Sequence, residues 1–142
     1  MAGRNIGYNT LMEELCKVES EYFKLFSHPV RLKILEILRH EDACVCHINA
    51  ILNLRQAYVS QQLAVLREGG LIEDRKCGWN VYYRVVDPRI YEVIDQVVHL
   101  IDPENQLFRD SLEVPADCPC PRCNHEECPD DSNPRREIVE KV

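Results

Sequence analysis

Arg55-Gln56-Ala57-Tyr58-Val59-Ser60-Gln61-Gln62-Leu63-Ala64-Val65-Leu66-Arg67-Glu68-Gly69-Gly70 is the stretch that decides how the rest of the chain is read. Val59, Leu63 and Leu66 recur at helical steps and fall in one narrow arc, which predicts a helix over about 57–68 with that arc buried. Ala57, Gln61 and Ala64 lie opposite, flanked by Tyr58 and Ser60. Small alanines allow close approach to a groove, and glutamine pairs bidentately with adenine in the major groove. Gly69-Gly70 sits where a left-handed helix cap requires glycine. A solvated polar face is the plainer account of the same residues, and the flanking segments separate the two.

Downstream, residues 71–75 and 81–85 read as two strands, with Lys76-Cys77-Gly78-Trp79-Asn80 as a hairpin turn between them. Upstream, residues 45–52 read as a short helix, broken from the next by Asn53-Leu54-Arg55-Gln56. Two short helices across a tight turn, followed by a hairpin, describe a mainly α winged helix-turn-helix with a small β-hairpin. The residues poised to meet DNA are then Arg55, Gln56, Tyr58, Ser60, Gln61 and Gln62 on the helix. Arg75, Lys76, Trp79 and Asn80 on the hairpin are placed to grip the backbone or minor groove. Each cationic contact adds salt-dependent affinity.

Further out, residues 8–26 read as an amphipathic helix through Leu11, Leu15, Val18, Phe23 and Phe26. Ser27-His28-Pro29 breaks it and starts another, because proline suits a first helical turn. That second helix runs to about His40 on Leu32, Leu35, Ile37 and Leu38. Asp87-Pro88 opens a last helix striped by Ile90, Ile94, Val97, Val98 and Ile101, and Pro103 stops or kinks it. Beyond about Leu112 the periodicity ends and prolines crowd in. Residues 1–112 therefore read as a DNA-binding and dimerisation domain, and 113–142 as an acidic Cys/Pro-rich tail, disordered without metal.

With 142 residues there is room for one domain and little more. No run of about 18 apolar residues spans a membrane, and the N-terminus lacks a signal-peptide core, so a cytoplasmic protein is expected. The net charge of -7 is unevenly spread: -1 over 1–54, +2 over 55–91, -2 over 92–101 and -6 over 102–142. The segment read as DNA-facing is thus locally basic, and the global charge does not exclude a nucleic acid. No nucleophile–base pair, phosphate-binding glycine loop or paired-carboxylate motif is visible. An enzyme, an organic cofactor and a small-molecule substrate are not expected.

Eight cysteines are many for a reducing compartment, where such counts point to metal or redox chemistry. Cys44 and Cys46 are two apart. On a regular helix such residues point about 200° apart. They converge if Cys44 precedes the helix and Cys46 lies in its first turn, where the helix end also favours thiolate. Two small buried hydrophobes would look the same in sequence. Cys118, Cys120, Cys123 and Cys128, four thiols within eleven residues of the tail, have no packing explanation and read as metal ligands, with His125 as a substitute. Cys16 fits core packing and ligation equally well. His47 reads as a surface histidine or a ligand, and Cys77 in the wing turn has no assigned role beyond possible sensitivity to oxidation.

Phe26-Ser27-His28-Pro29-Val30-Arg31-Leu32-Lys33-Ile34-Leu35 resembles the second-helix signature of the ArsR/SmtB family of metal-responsive repressors. Cys44 to Leu52 resembles the family's metal-box helix, Val59 to Ile72 its recognition helix, and Val81-Tyr82-Tyr83-Arg84 its second wing strand. The resemblance implies a homodimer joined through residues 8–26 and 88–101, bound to double-stranded operator DNA of imperfect palindromic sequence. It further implies release of that operator when a thiophilic ion binds: Cd(II), Pb(II), As(III), Bi(III) or Zn(II). Cys44 and Cys46 match the thiolate-type ligands. In the cadmium- and lead-sensing branch N-terminal cysteines cross the dimer, a role open to Cys16. The chain departs from the pattern at Asn49, where arsenic sensors often have a third cysteine, and at His47, commonly aspartate. The family's last-helix site keeps Asp87 but has Arg89, Leu100 and Pro103 at its other positions, with His99 one residue off register, and is not expected here. Two alternatives stand beside metal sensing. One is a redox- or sulfide-sensing repressor working through a disulfide or persulfide, the other a zinc-stabilised protein-interaction module.

Overall fold

The computed structural model describes residues 6–77 and 80–105. Helix α1 (Ile6–Phe26) ends where His28, in an extended conformation, caps α2 (Pro29–Leu38) by accepting the Val30 N–H on Nδ1 at 3.2 Å. Proline fills the first turn of α2, as its fixed φ favours. A two-residue strand β1 (Ala43–Cys44) leads directly into α3 (Val45–Leu52). Asn53 then adopts a left-handed conformation (φ 50°, ψ 47°) and turns the chain into α4 (Gln56–Glu68). Gly70, rather than Gly69, supplies the positive φ (80°) after α4. Strands β2 (Ile72–Cys77) and β3 (Asn80–Val85) form the wing, and α5 (Ile90–Ile101) follows.

The expected arc of α4 is the centre of the core. Val59, Leu63 and Leu66 are fully buried against Ile34 and Leu35 of α2, Ile48 of α3, and Ile72 and Val85 of the wing. Each such side chain contributes about 1.5–3 kcal/mol by leaving water. The wing strands run longer than the sequence suggests and pair up to Cys77 and Asn80, so only residues 78–79 connect them.

The sheet has three strands, ordered β1-β3-β2 and antiparallel throughout. Local pattern does not reveal β1, because two residues carry no periodicity and their partners Tyr83 and Tyr82 lie about forty positions away. The pairing gives the sheet two distinct faces. Ala43, Ile72, Tyr83 and Val85 point into the main core. Cys44 and Tyr82 point the other way and form a separate small cluster with Cys46 and Ala50 of α3 and Cys77 of β2.

The apolar stripe of α5 divides. Ile90, Tyr91 and Ile94 are buried against the body, whereas Val97, Leu100 and Ile101 are exposed. Tyr91 donates its hydroxyl to the Leu35 carbonyl at 2.6 Å. Arg39 lies 4.4 Å over the Tyr91 ring and holds Asp95 through two hydrogen bonds of 2.7 and 2.9 Å. On α1, Leu11, Leu15 and Val18 are exposed along one side. The tail and the domain boundary at 112 lie outside the described residues. Among the described residues no helix is long and apolar enough to cross a membrane.

Candidate nucleic-acid interface and cysteine site

The α3–turn–α4 unit presents the start of α4 outward. Arg55 is its N-cap and makes no side-chain cap bond, while its carbonyl accepts the Tyr58 and Val59 N–H groups at 3.0 and 3.1 Å. Gln56, Ser60 and Gln61 are exposed, and Tyr58 and Gln62 are half-buried. Cationic and amide groups around a free helix start suit phosphate and base edges. On the wing, Lys76 is exposed and Arg75 and Asn80 are half-buried, while Trp79 falls outside the described residues. Arg67 near the end of α4 lies 3.5 Å from Asp74 of β2, tying the recognition helix to the wing.

Sequence reasoning missed one member of this surface. The Tyr58 hydroxyl lies 3.4 Å from His28 Nε2. Because His28 Nδ1 accepts the Val30 N–H, the neutral ring carries its proton on Nε2 and donates it to Tyr58. The signal was present in Ser27-His28-Pro29, read only as a helix break.

The cysteine pair has the geometry its spacing requires. Cys44 is at once the last residue of β1 and the N-cap of α3, in extended conformation (φ -83°, ψ 166°), and Cys46 is in the first turn. Their Sγ atoms are 2.6 Å apart. The His47 N–H donates to Cys44 Sγ at 3.4 Å. This contact places a backbone N–H donor on the Cys44 sulfur at the start of α3. Cys44 is buried and Cys46 half-buried, so the pair opens to solvent on one side only.

His47 is a correction: it is 4% exposed rather than on the surface, with Nε2 3.5 Å from Glu41 Oε1. The reason is β1, whose pairing with β3 draws the first turn of α3 into the body. Cys16 is an exposed free thiol on α1. Among the described residues no third cysteine, histidine, aspartate or glutamate joins Cys44 and Cys46 in a set that would hold a metal ion. Cys77 is half-buried and packs in the same cluster as the pair. Cys118, Cys120, Cys123 and Cys128 lie outside the described residues. The two thiols therefore fit a soft ion in kind, and supply two of the three or four donors such an ion takes. Just ahead of α5, Asp87 accepts hydrogen bonds from the backbone and side chain of Arg89.

Residues 28–74 match the family described as bacterial regulatory protein, arsR family. The transcriptional repressor SmtB homolog of Synechocystis sp. is 32% identical over 78 residues, 55% of this chain and 59% of that protein. The arsenic resistance transcriptional regulator ArsR1 of Pseudomonas putida is 35% identical over 95 residues, 65% of this chain and 73% of its own length. Among solved structures, Mycobacterium tuberculosis Rv0081 superimposes with a TM-score of 0.58 at 32% identity, over 63% of this chain and 90% of that one.

Proposed function

The chain belongs to the arsR family of bacterial regulatory proteins, transcriptional regulators of the winged helix type rather than enzymes, and from this premise we propose that it is a homodimeric repressor that leaves its operator when a thiophilic ion engages Cys44 and Cys46. The observation that carries the proposal is the convergence of the two sulfurs at 2.6 Å on the start of α3. Both relatives named above are transcriptional regulators, one a repressor and one of arsenic resistance. Arg55, Gln56, Tyr58, Ser60, Gln61 and Gln62 would read the duplex, with Arg75, Lys76, Trp79 and Asn80 on its backbone. The exposed apolar sides of α1 and α5 would face a second copy, which suits a palindromic site.

Cys44 and Cys46 would hold the ion, with Cys16 or the tail cysteines as further donors. An ion held there would supply sulfur-to-metal bonds to Cys44 and Cys46, and these would favour one dimer geometry over another. The chain's own part is transmission. Only Asn53, Leu54 and Arg55 separate α3 from α4, so displacement at the cap of α3 reorients the reading surface. A coupling of about 1–3 kcal/mol between the two sites changes operator occupancy substantially.

The test is a Cd(II) and As(III) titration of reduced, metal-free protein, followed by ultraviolet charge-transfer absorption and by release of a labelled operator duplex. A saturable band and release in the wild type, both lost in Cys44→Ser/Cys46→Ser, support the proposal. Release at wild-type concentrations in the double variant overturns the ligand assignment. The same 2.6 Å approach favours a second reading, since it is only a little longer than a disulfide bond of about 2.05 Å. Release by oxidant with no charge-transfer band selects that reading.

A further inference from the structure

The Cys44–Cys46 pair touches two DNA-facing elements rather than one. Through Cys46 and the cap bond it belongs to α3, which leads into the recognition helix. Through β1 it belongs to the wing, because Cys44 is paired in register with Tyr82 of the central strand β3. The Tyr82 side chain is 7% exposed and packs against Cys44 on the sheet face turned away from the main core, with Cys46, Ala50 and Cys77 around them. Across the sheet Tyr82 stands opposite Arg75, and two residues along its own strand lies Asn80. Tyr82 is thus the side chain that lies between the sulfurs and the cationic part of the wing.

We infer that Tyr82 is a positioning residue that carries the state of Cys44 and Cys46 to the wing, so that the effector controls two DNA contacts at once. The inference rests on the proposed sensing role of the pair. A strand transmits displacement along its length because its backbone is held on both sides, and β3 is held by β1 and β2. Any group that engages Cys44 Sγ competes with the contact from the His47 N–H and presses on the ring packed behind it. The Tyr83 side chain, one residue on, faces the main core and is no part of this path.

The test uses the full-length reduced protein with Cd(II) as probe and an operator duplex obtained by selection. Tyr82→Leu is expected to keep the charge-transfer band and metal-free operator affinity within about threefold. Its ratio of operator affinities without and with Cd(II) should fall at least fivefold, which lies within the usual range of such couplings. Tyr82→Phe, which keeps the ring, should retain the wild-type ratio. A general loss of stability would weaken operator binding in both metal states and leave that ratio alone. Hydrogen exchange on the wild type gives a readout independent of any variant: adding Cd(II) should alter the amides of β2 and β3 as well as those of α3 and α4. A change confined to α3 and α4, or a wild-type ratio in Tyr82→Leu, overturns the inference and leaves the sensing role standing. Absence of the band in the wild type removes both.

Discussion

The two faces of the three-stranded sheet are built from adjacent residues and serve opposite ends. Ala43 and Cys44 are neighbours in β1, and Tyr82 and Tyr83 in β3, yet one of each pair faces the main core and the other the cysteine cluster. The core face meets Ile34, Leu63 and Leu66, large apolar side chains that are fully buried. The other face meets small sulfur-bearing groups at the start of a short helix. Close packing resists displacement, because even one methylene of volume change is felt. Two thiols beside a single ring can change partners without dismantling a core. Alternation along a strand places a closely packed apolar face and a cysteine-bearing face one residue apart, and under the proposed function the second is the responsive one.

That division gives measurable contrasts. The largest effect belongs to the core face: Ile72→Ala should cost about 2–5 kcal/mol in chemical denaturation, through lost burial and the cavity left behind. Its charge-transfer band with Cd(II) should nevertheless persist. If the band disappears in a variant that still folds, the two faces are not separable.

Cys44→Ala on the other face should show the reverse. It removes the cap that accepts from His47, worth about 1 kcal/mol, and should abolish the band. A loss of several kcal/mol would mean that this face is structural after all.

The smallest effect lies away from both faces, where α5 is clamped to α2. The Arg39 guanidinium bonded to Asp95 holds that carboxyl below its ordinary range. A carboxyl depressed in the folded state stabilises the protein above its unfolded pKa, about 3.9, and loses that contribution as pH falls towards the folded value. Asp95 is largely exposed, so the clamp is worth about 0.2–1 kcal/mol, screened by salt. Asp95→Asn should remove this small component from the acid limb of a stability–pH curve and leave stability at pH 7 lower by the same amount. An unchanged acid limb would show that the aromatic contact between Arg39 and Tyr91 holds α5 by itself.

Much of the helix-turn-helix was legible in the sequence because helices announce themselves locally. The burial of Val59, Leu63 and Leu66 follows from spacing, and the break at Asn53 from its tolerance of the left-handed conformation. The approach of Cys44 to Cys46 also followed from local geometry, since a residue before a helix and one in its first turn can point the same way. What failed was whatever depended on a distant partner. His47 was read as exposed, His28 only as a break, and Cys77 had no place.

By itself, the sequence determined the order of helices and hairpin, the inward arc of the recognition helix and the proximity of the two cysteines, because each rests on contacts within a few residues. Only the tertiary structure decided that Cys44 is also a strand residue, that Tyr82 rather than Tyr83 backs it, and that His28 meets Tyr58. Those pairings join residues roughly thirty to forty positions apart, and no local period encodes which of two neighbouring side chains a distant strand will select.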